Sequence, residues 1–137
     1  MNRTDFQKLA EIRLQEAKAL LDAEKFDGAY YLCGYAVECA LKACIAKQTK
    51  EHDFPDVKIV QKSYTHNLEN LLDLSGLKSD LDNKIKDDKE FDNFWSIVKD
   101  WNENSRYEFL PNKKSRDLYE AIANIEKGVL QWIKQRW

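Results

Sequence analysis

The residues with the clearest capacity for chemistry are charged side chains in unexpected places. Glu38 and Lys42 lie one helical turn apart within the otherwise apolar stretch Phe26–Lys47. Such a pair can form a solvated strip that contributes about a few tenths of a kcal/mol. A buried carboxylate would instead require a cation, because an unpaired buried charge is costly. Arg106, in the segment SRYEF, is the best-placed cation by topology, and Lys42 and Arg13 are the alternatives.

Arginine presents a planar fork of donors that fits phosphate as well as carboxylate. A contact between Arg106 and Glu38, with Tyr107 beside it, would therefore be either a structural tie or half of an anion site. The polar and basic residues just downstream could extend a phosphate-binding strip; they are Asn112, Lys113, Lys114 and Arg116.

Composition limits the class of protein. The chain has 137 residues, of which 34% are charged and 43% hydrophobic, so a single globular domain over residues 1–137 is expected. A net charge of -2 argues against a strongly basic nucleic-acid binder but allows a local basic patch. The apolar stretch is too short and too charged for a membrane span, and the N-terminus lacks a secretion signal.

The three cysteines, Cys33, Cys39 and Cys44, all fall on one predicted helix. An odd number clustered in this way does not make a disulfide framework, and the spacing scatters them around the helix, which argues against a metal site. We interpret them as small core residues in a reducing cytoplasm. No glycine-rich phosphate loop or other cofactor signature occurs, so no cofactor is predicted.

The apolar spacing predicts an all-α, up-and-down bundle of about four long helices plus one or two short ones. The segment Phe26–Lys47 is apolar on nearly every face, which places it at the centre. The predicted helices are Thr4 or Asp5 to about Glu24, Phe26–Lys47, a short helix carrying Leu68 to Leu74, about Lys78 to Lys86, about Lys89 to Glu103, and one last helix capped by Ser115 that carries a stripe from Leu118 through Ile125 to Ile133.

Two irregular stretches interrupt this pattern. A loop of some fifteen residues is expected after Gln48, because Pro55 prevents a helix through its middle. The second stretch is Asn102 to Lys114. His52, in the first loop, is expected to be solvated, and His66, in YTHNLENLL, to be a helix-start residue that bonds backbone groups rather than a catalytic one.

Three motifs in order, YYLCGYAVECALKACIA, THNLENLL and SRYEF, resemble those of the HEPN domains (higher eukaryotes and prokaryotes nucleotide-binding). The resemblance implies a compact helical bundle that forms a homodimer, with its functional cleft at or near the dimer interface. It further implies either a metal-independent endoribonuclease or a toxin paired with a small nucleotidyltransferase antitoxin, in a toxin–antitoxin or defence system.

Catalytic members of that family carry an Arg and a His with four to six residues between them. By resemblance, Arg106 matches this Arg and Glu38 matches the polar residue of helix two, but Pro111, Asn112 and Lys113 stand near where the His belongs. We therefore predict a nucleotide- or RNA-binding module that is catalytically weak or silent.

The alternatives are a metal-independent endoribonuclease that uses Arg106 with Tyr107 or His66 as acid/base, and a purely structural protein-interaction bundle. The 4 Trp, 6 Tyr and 6 Phe predict surplus aromatic surface. We place a homodimer interface at the SRYEF loop and around Trp95 and Trp101.

Overall fold

A computed structural model describes residues 1–49 and 53–137. Within these ranges the secondary structure is entirely helical, which confirms the predicted all-α bundle. The elements are α1 (Arg3–Asp22), α2 (Phe26–Lys47), α3 (Val57–Lys62), α4 (Leu68–Leu74), α5 (Lys78–Asp87), α6 (Lys89–Lys99), a 3-10 helix η1 (Glu103–Tyr107), α7 (Asn112–Ala123) and α8 (Val129–Lys134). His52 lies outside the described residues.

Helices α1 and α2 form the antiparallel pair on which the bundle is built. The start of α1 is a capping box in which Asn2 caps the helix and Asp5 bonds back, so the predicted cap is displaced by a few residues. Glu24 takes a positive φ of 60° and reverses the chain in a very short connection. The buried Ala10 and Ala17 of α1 have no bulk, which lets the two helices approach closely.

Helix α2 lies in the centre of the molecule, as its sequence predicts. It packs against α1, α4, α7, α8 and η1, and its buried residues occupy all sides of the helix from Ala29 to Ile45. Burial raises the pKa of the Cys33 thiol to about 12 and those of Cys39 and Cys44 to about 11. These thiols are therefore protonated core groups, as expected from the sequence.

One contact fixes the segment that carries Arg106. Gly34 of α2 lies directly under the indole of Trp101, and a Cβ at Gly34 would fall 2.1 Å from two atoms of that ring. Trp101 is 3% exposed and immediately precedes η1. The absence of a side chain at Gly34 thus lets the start of η1 press against the central helix.

Two helix predictions were wrong at their boundaries. Helix α3 forms within the predicted loop because Asp56, following Pro55, caps it through a hydrogen bond from the Lys58 N–H at 2.8 Å. The last helix is two helices, because the Asn124 side chain accepts hydrogen bonds from the backbone N–H groups of Glu126 and Lys127 at 3.0 and 2.9 Å.

The break between α7 and α8 also moves Ile125. This residue was predicted to lie in the buried stripe, but it is 87% exposed. Ser115 does not cap α7, which begins at Asn112, and is instead buried, with its hydroxyl donating to the Phe26 carbonyl.

The aromatic residues are mostly used inside the chain. Trp95 and Trp101 are 5% and 3% exposed, so both indoles pack within the single chain, and a dimer face on the surface around them stays a prediction. The same packing accommodates Tyr30, Phe91 and Trp132. Tyr107 and Phe109, in contrast, are 75% and 98% exposed.

Candidate functional site

Arg106 is held against the central helix by the short η1 turn. Asn102 starts this turn by accepting a hydrogen bond from the Asn104 N–H at 2.9 Å. The Arg106 guanidinium lies 4.8 Å from the centre of the Tyr107 ring. Hydrogen bonding to the side chain of Tyr107, and then to that of Tyr31, raises the pKa of Arg106. The guanidinium is therefore a permanent cation positioned beside α2.

The first turns of α7 add two more cations on the same part of α2. The Lys114 ammonium lies 5.5 Å from the centre of the Tyr30 ring, and the Arg116 guanidinium lies 5.0 Å from that of Phe26. The chain reaches this position because the Leu110 N–H donates to Asp27 at 2.7 Å. Both α7 side chains thus cover aromatic faces at the N-terminal half of α2.

A fourth cation comes from α1, although its charge is partly compensated because Arg13 also pairs with Glu16 on its own helix. The Arg13 guanidinium lies 6.0 Å from the centre of the Tyr35 ring, which stacks on Tyr31 with centroids 6.2 Å apart. We call this group the cationic–aromatic zone; it spans two sides of α2, one with Phe26, Tyr30, Lys114 and Arg116 and the other with Tyr31, Tyr35, Arg13 and Arg106. Three cation–π pairs therefore involve α2, and three others, Lys84 with Phe91, Lys134 with Trp137 and Arg136 with Trp132, lie elsewhere in the bundle.

The other two predicted loop residues, Asn112 and Lys113, lie next to the zone but are not part of it. Asn112 lines a shallow pocket of about 440 Å³ together with Phe26, Asp27 and Phe109. Lys113 pairs with Asp117 on its own helix, so its charge is partly compensated. Of the predicted loop residues, Arg106 and Lys114 lie beside the central helix, whereas Tyr107 is 75% exposed and contacts Arg106.

Two buried polar atoms in this region have no hydrogen-bond partner among the described residues. They are Nε1 of Trp101, two residues before η1, and Oγ of Ser105, in the middle of η1. Each such group costs about 1–3 kcal/mol. A third such atom, Nε1 of Trp132, lies in α8, so these groups do not by themselves mark the site.

Glu38 is buried, which agrees with the second of the two predicted alternatives, a buried carboxylate that requires a cation. It is 2% exposed, and its two oxygens have different partners. The Lys42 ammonium lies 3.3 Å from Oε2, and Nδ1 of His66 lies 2.8 Å from Oε1. The carboxylate is thus compensated on both sides.

The predicted contact between Glu38 and Arg106 is wrong, because the ion-pair partners of Glu38 in the described chain are Lys42 and His66. The reason is the length of α2. Arg106 lies near Tyr31, and two turns of helix separate Tyr31 from Glu38, about 10 Å along the axis. The two predicted halves of the anion site therefore occupy different levels of the bundle.

His66 also differs from its predicted role. It was expected to bond backbone groups at a helix start, but Asn67 caps α4 through the Asn70 N–H at 3.0 Å. The His66 imidazole instead bonds to the side chain of Glu38. No local signal around His66 indicates this partner, since it lies 28 positions earlier in the chain.

One signal in the sequence could have revealed the shared face. Tyr31, Tyr35, Glu38 and Lys42 follow an i, i+4, i+7, i+11 spacing and therefore line one stripe of α2. The structure shows Arg106 at one end of this stripe and His66 near the other.

The family model described as HEPN domain matches residues 5–137, nearly the whole chain. The chain belongs to the HEPN domain family. Membership makes it a nucleotide- or RNA-related module in general terms. No curated protein and no solved structure matches the chain.

The described residues of this HEPN domain were searched for a metal site and for a membrane-spanning helix. They include no group of three or more His, Cys, Asp or Glu side chains placed to hold a metal ion. None of their helices combines the length and apolar character required to cross a bilayer.

Proposed function

We propose that this HEPN domain binds RNA or nucleotides through the cationic–aromatic zone, with Arg106 as a phosphate contact. The observation that carries this proposal is the placement of arginine and lysine heads on the aromatic rings of α2. Single-stranded nucleic acid is recognised by this combination, because aromatic rings stack on bases while cations follow the backbone. The net charge of -2 makes such a local cluster the relevant feature.

The proposed module cleaves RNA weakly or not at all. In-line attack by a 2′-hydroxyl requires a base, an acid, and a cation near the developing charge. Arg106 supplies the cation. Position 112, where the resemblance would place a histidine, carries Asn112, which cannot titrate, and Lys113 is paired with Asp117. General acid–base catalysis typically contributes about 10²- to 10⁴-fold, and the Arg106 loop offers no imidazole to provide it.

The test is the salt dependence of RNA binding by Arg106→Ala. Each phosphate contact on single-stranded nucleic acid contributes about 0.7 to the slope of log K against log salt. Arg106→Ala should weaken binding to a short single-stranded RNA and reduce this slope by about 0.7, as measured by fluorescence anisotropy over a salt series. Arg106→Lys should keep the slope but bind less tightly, since it retains the charge and loses the planar fork.

Lys86→Ala is the charge-matched control. Lys86 is an exposed residue of α5, away from the zone, and its removal changes the net charge by the same amount. If Lys86→Ala reduced the slope as much as Arg106→Ala, binding would depend on overall charge and the proposed contact would be refuted.

The partner side of the proposal rests on two exposed aromatic residues and on the family resemblance. Tyr107 and Phe109 project from the Arg106 segment at 75% and 98% exposure. We propose that this segment forms a homodimer interface, which would bring the zones of two copies together. Pairing with a nucleotidyltransferase in a toxin–antitoxin or defence system is proposed on the resemblance alone.

A further inference from the structure

The side of the bundle that carries α3 holds most of the exposed apolar side chains. Among the residues that the structure describes, eight large hydrophobic side chains are exposed, and five of them gather here: Met1, Phe54, Val57, Val60 and Tyr64. Apolar side chains that are exposed singly are normal on a soluble protein, whereas a contiguous apolar patch marks an interaction site. This side of the bundle is therefore a candidate interaction surface.

The apolar side chains surround a groove, which we call the α3 groove. It has a volume of about 1220 Å³ and lies between α3, the first turn of α1 and the last turns of α2. Its apolar lining includes Met1, Phe6, Ile45, Ala46, Phe54 and Tyr64. Sites for small molecules usually have volumes of about 300–1,000 Å³ and bury most of the ligand. The α3 groove is larger and open to solvent, so it suits a segment of a macromolecule better than a small molecule.

Helix α3 borders this groove with little packing of its own. All six residues of α3, which the structure describes in full, stay at least partly exposed, and Ile59 packs against the core. Phe54 and Tyr64, which flank α3, are 99% and 83% exposed. These two rings contribute little to the fold of the single chain. A partner that covered them would gain the free energy of removing their apolar surface from water.

The charges that line the groove differ between its two sides. Arg3 and Lys47 lie on the side of α1 and α2, where each donates a hydrogen bond to a backbone oxygen of residues 136–137. Asp53 and Asp56 lie on the side of α3. A partner that carries acidic residues along one edge and basic residues along the other would therefore complement both sides.

Nucleic acid and an anionic membrane fit these charges less well than such a partner. Both present negative charge to the whole groove, which Asp53 and Asp56 would repel. Lys42 also borders the groove, but Glu38 compensates its charge at 3.3 Å. A concave surface is also a poor match for a membrane, because interfacial anchors insert a protruding apolar face.

We propose that the α3 groove binds an amphipathic α-helix of a partner protein. The helix inserts an apolar stripe, with anchors spaced i, i+4 and i+7, between the exposed rings of Phe54 and Tyr64 and the α2 residues Ile45 and Ala46. Acidic residues along one edge of this helix face the cations of α1 and α2, and basic residues along the other edge face the carboxylates beside α3. The groove shares no residue with the cationic–aromatic zone, so the inference does not rest on the proposed RNA binding.

The test uses the full chain and a fluorescein-labelled helical peptide with Leu at i, i+4, i+7 and i+11, Glu along one edge and Lys along the other. Fluorescence anisotropy should show binding to wild type. Phe54→Ser and Tyr64→Ser should each weaken it about tenfold or more, because they remove aromatic anchors. Both side chains are exposed, so the fold is retained. Ile125→Ser is the matched control: Ile125 is 87% exposed but does not line the groove, and this variant should bind like wild type.

Charge reversal tests the complementarity separately. A second peptide, in which every Lys is replaced by Glu, keeps the apolar stripe and should bind wild type more weakly because it places carboxylates beside Asp53 and Asp56. Asp53→Lys should improve binding of this second peptide and weaken binding of the first. Asp87→Lys makes the same change at an exposed position of α5 that does not line the groove, and should leave both affinities unchanged.

Several results would overturn the proposal. One is the absence of binding by the first peptide, and another is equal binding by wild type and Phe54→Ser. A loss of affinity for single-stranded RNA in Phe54→Ser would assign the groove to nucleic acid, and Phe54-dependent sedimentation with phosphatidylserine vesicles would assign it to a membrane. A fall to the single chain mass in light scattering of Phe54→Ser would assign it to a second copy. Peptide binding that persists in Arg106→Ala would show that the groove acts independently of the zone.

Discussion

Replacing Gly34 by alanine tests the contact that holds the Arg106 segment on the central helix. A Cβ at this position would lie 2.1 Å from Cδ2 and Cε2 of Trp101 and 2.3 Å from Cγ. Carbon atoms in contact are ordinarily about 3.5–4.0 Å apart. The indole would therefore have to retreat by about 1.5 Å, and Trp101 has little room to do so because it is 3% exposed.

Two opposing effects determine how much Gly34→Ala lowers the free energy of unfolding. Overpacking a core typically costs about 1–3 kcal/mol, and overlap with three atoms of a rigid ring favours the upper end. Alanine recovers about 0.8–1 kcal/mol of helix propensity relative to glycine. The net destabilisation should be about 2 kcal/mol, which for a domain of this size corresponds to a fall in Tm of roughly 8 °C.

Gly28→Ala is the matched control in the same helix. There the nearest atom to a new Cβ is the terminal methyl Cδ1 of Leu20 at 3.3 Å, which can move aside. Gly28→Ala should therefore have a free energy of unfolding equal to that of wild type or up to about 1 kcal/mol higher. Urea denaturation gives both values. Gly34→Ala should also bind RNA less tightly, because Trp101 precedes η1; a Gly34→Ala protein as stable as Gly28→Ala would refute the reasoning.

Two further predictions concern acid stability and assembly. The pKa of Asp88 is lowered to about 2 by the Phe91 backbone N–H, then by Lys84, with a further contribution from Lys127. A lowered folded-state pKa stabilises the fold above about pH 4, and this contribution disappears as the pH falls towards 2. In urea titrations, Asp88→Asn should be less stable than wild type at pH 7 but equal near pH 2; a constant difference would contradict this. Light scattering should give twice the chain mass of 16.1 kDa for wild type at tens of micromolar and the single mass for Phe109→Ser; a wild-type monomer would contradict the proposed dimer.

The architecture could be predicted from the sequence because it depends on periodicity. A helix with apolar residues on every face has to lie at the centre of a bundle, and α2 does so. The errors arose where side chains compete with helical hydrogen bonds. Asn124 captures two backbone N–H groups and ends α7, and Asp56 starts α3 just after a proline. These helix ends depend on a few side-chain hydrogen bonds to the backbone, which the periodicity of apolar residues does not indicate.

The candidate site could be predicted only in part. Glu38 and Lys42 lie one turn apart on an apolar helix, so the sequence predicts that they pair. It left open whether the pair is solvated or buried. The hydrogen bond from His66 to Glu38 joins residues 28 positions apart, so it depends on the tertiary structure and not on a local pattern. Arg106 was predicted to contact Glu38, but it lies two turns earlier along α2. The packing of Trp101 on Gly34 determines where this loop meets the helix, and the sequence does not indicate that packing.

The spacing of the two cationic levels on α2 favours a polymer over a single nucleotide as the ligand. Arg106 lies near Tyr31, whereas Lys42 and His66 contact Glu38, about 10 Å further along the same helix. One phosphate group cannot contact both levels. A mononucleotide would use either the Arg106 end or the His66 end and lose the contacts of the other. Under the proposed function, a single strand would place successive phosphates on both levels, so the proposal expects tighter binding of RNA than of a mononucleotide.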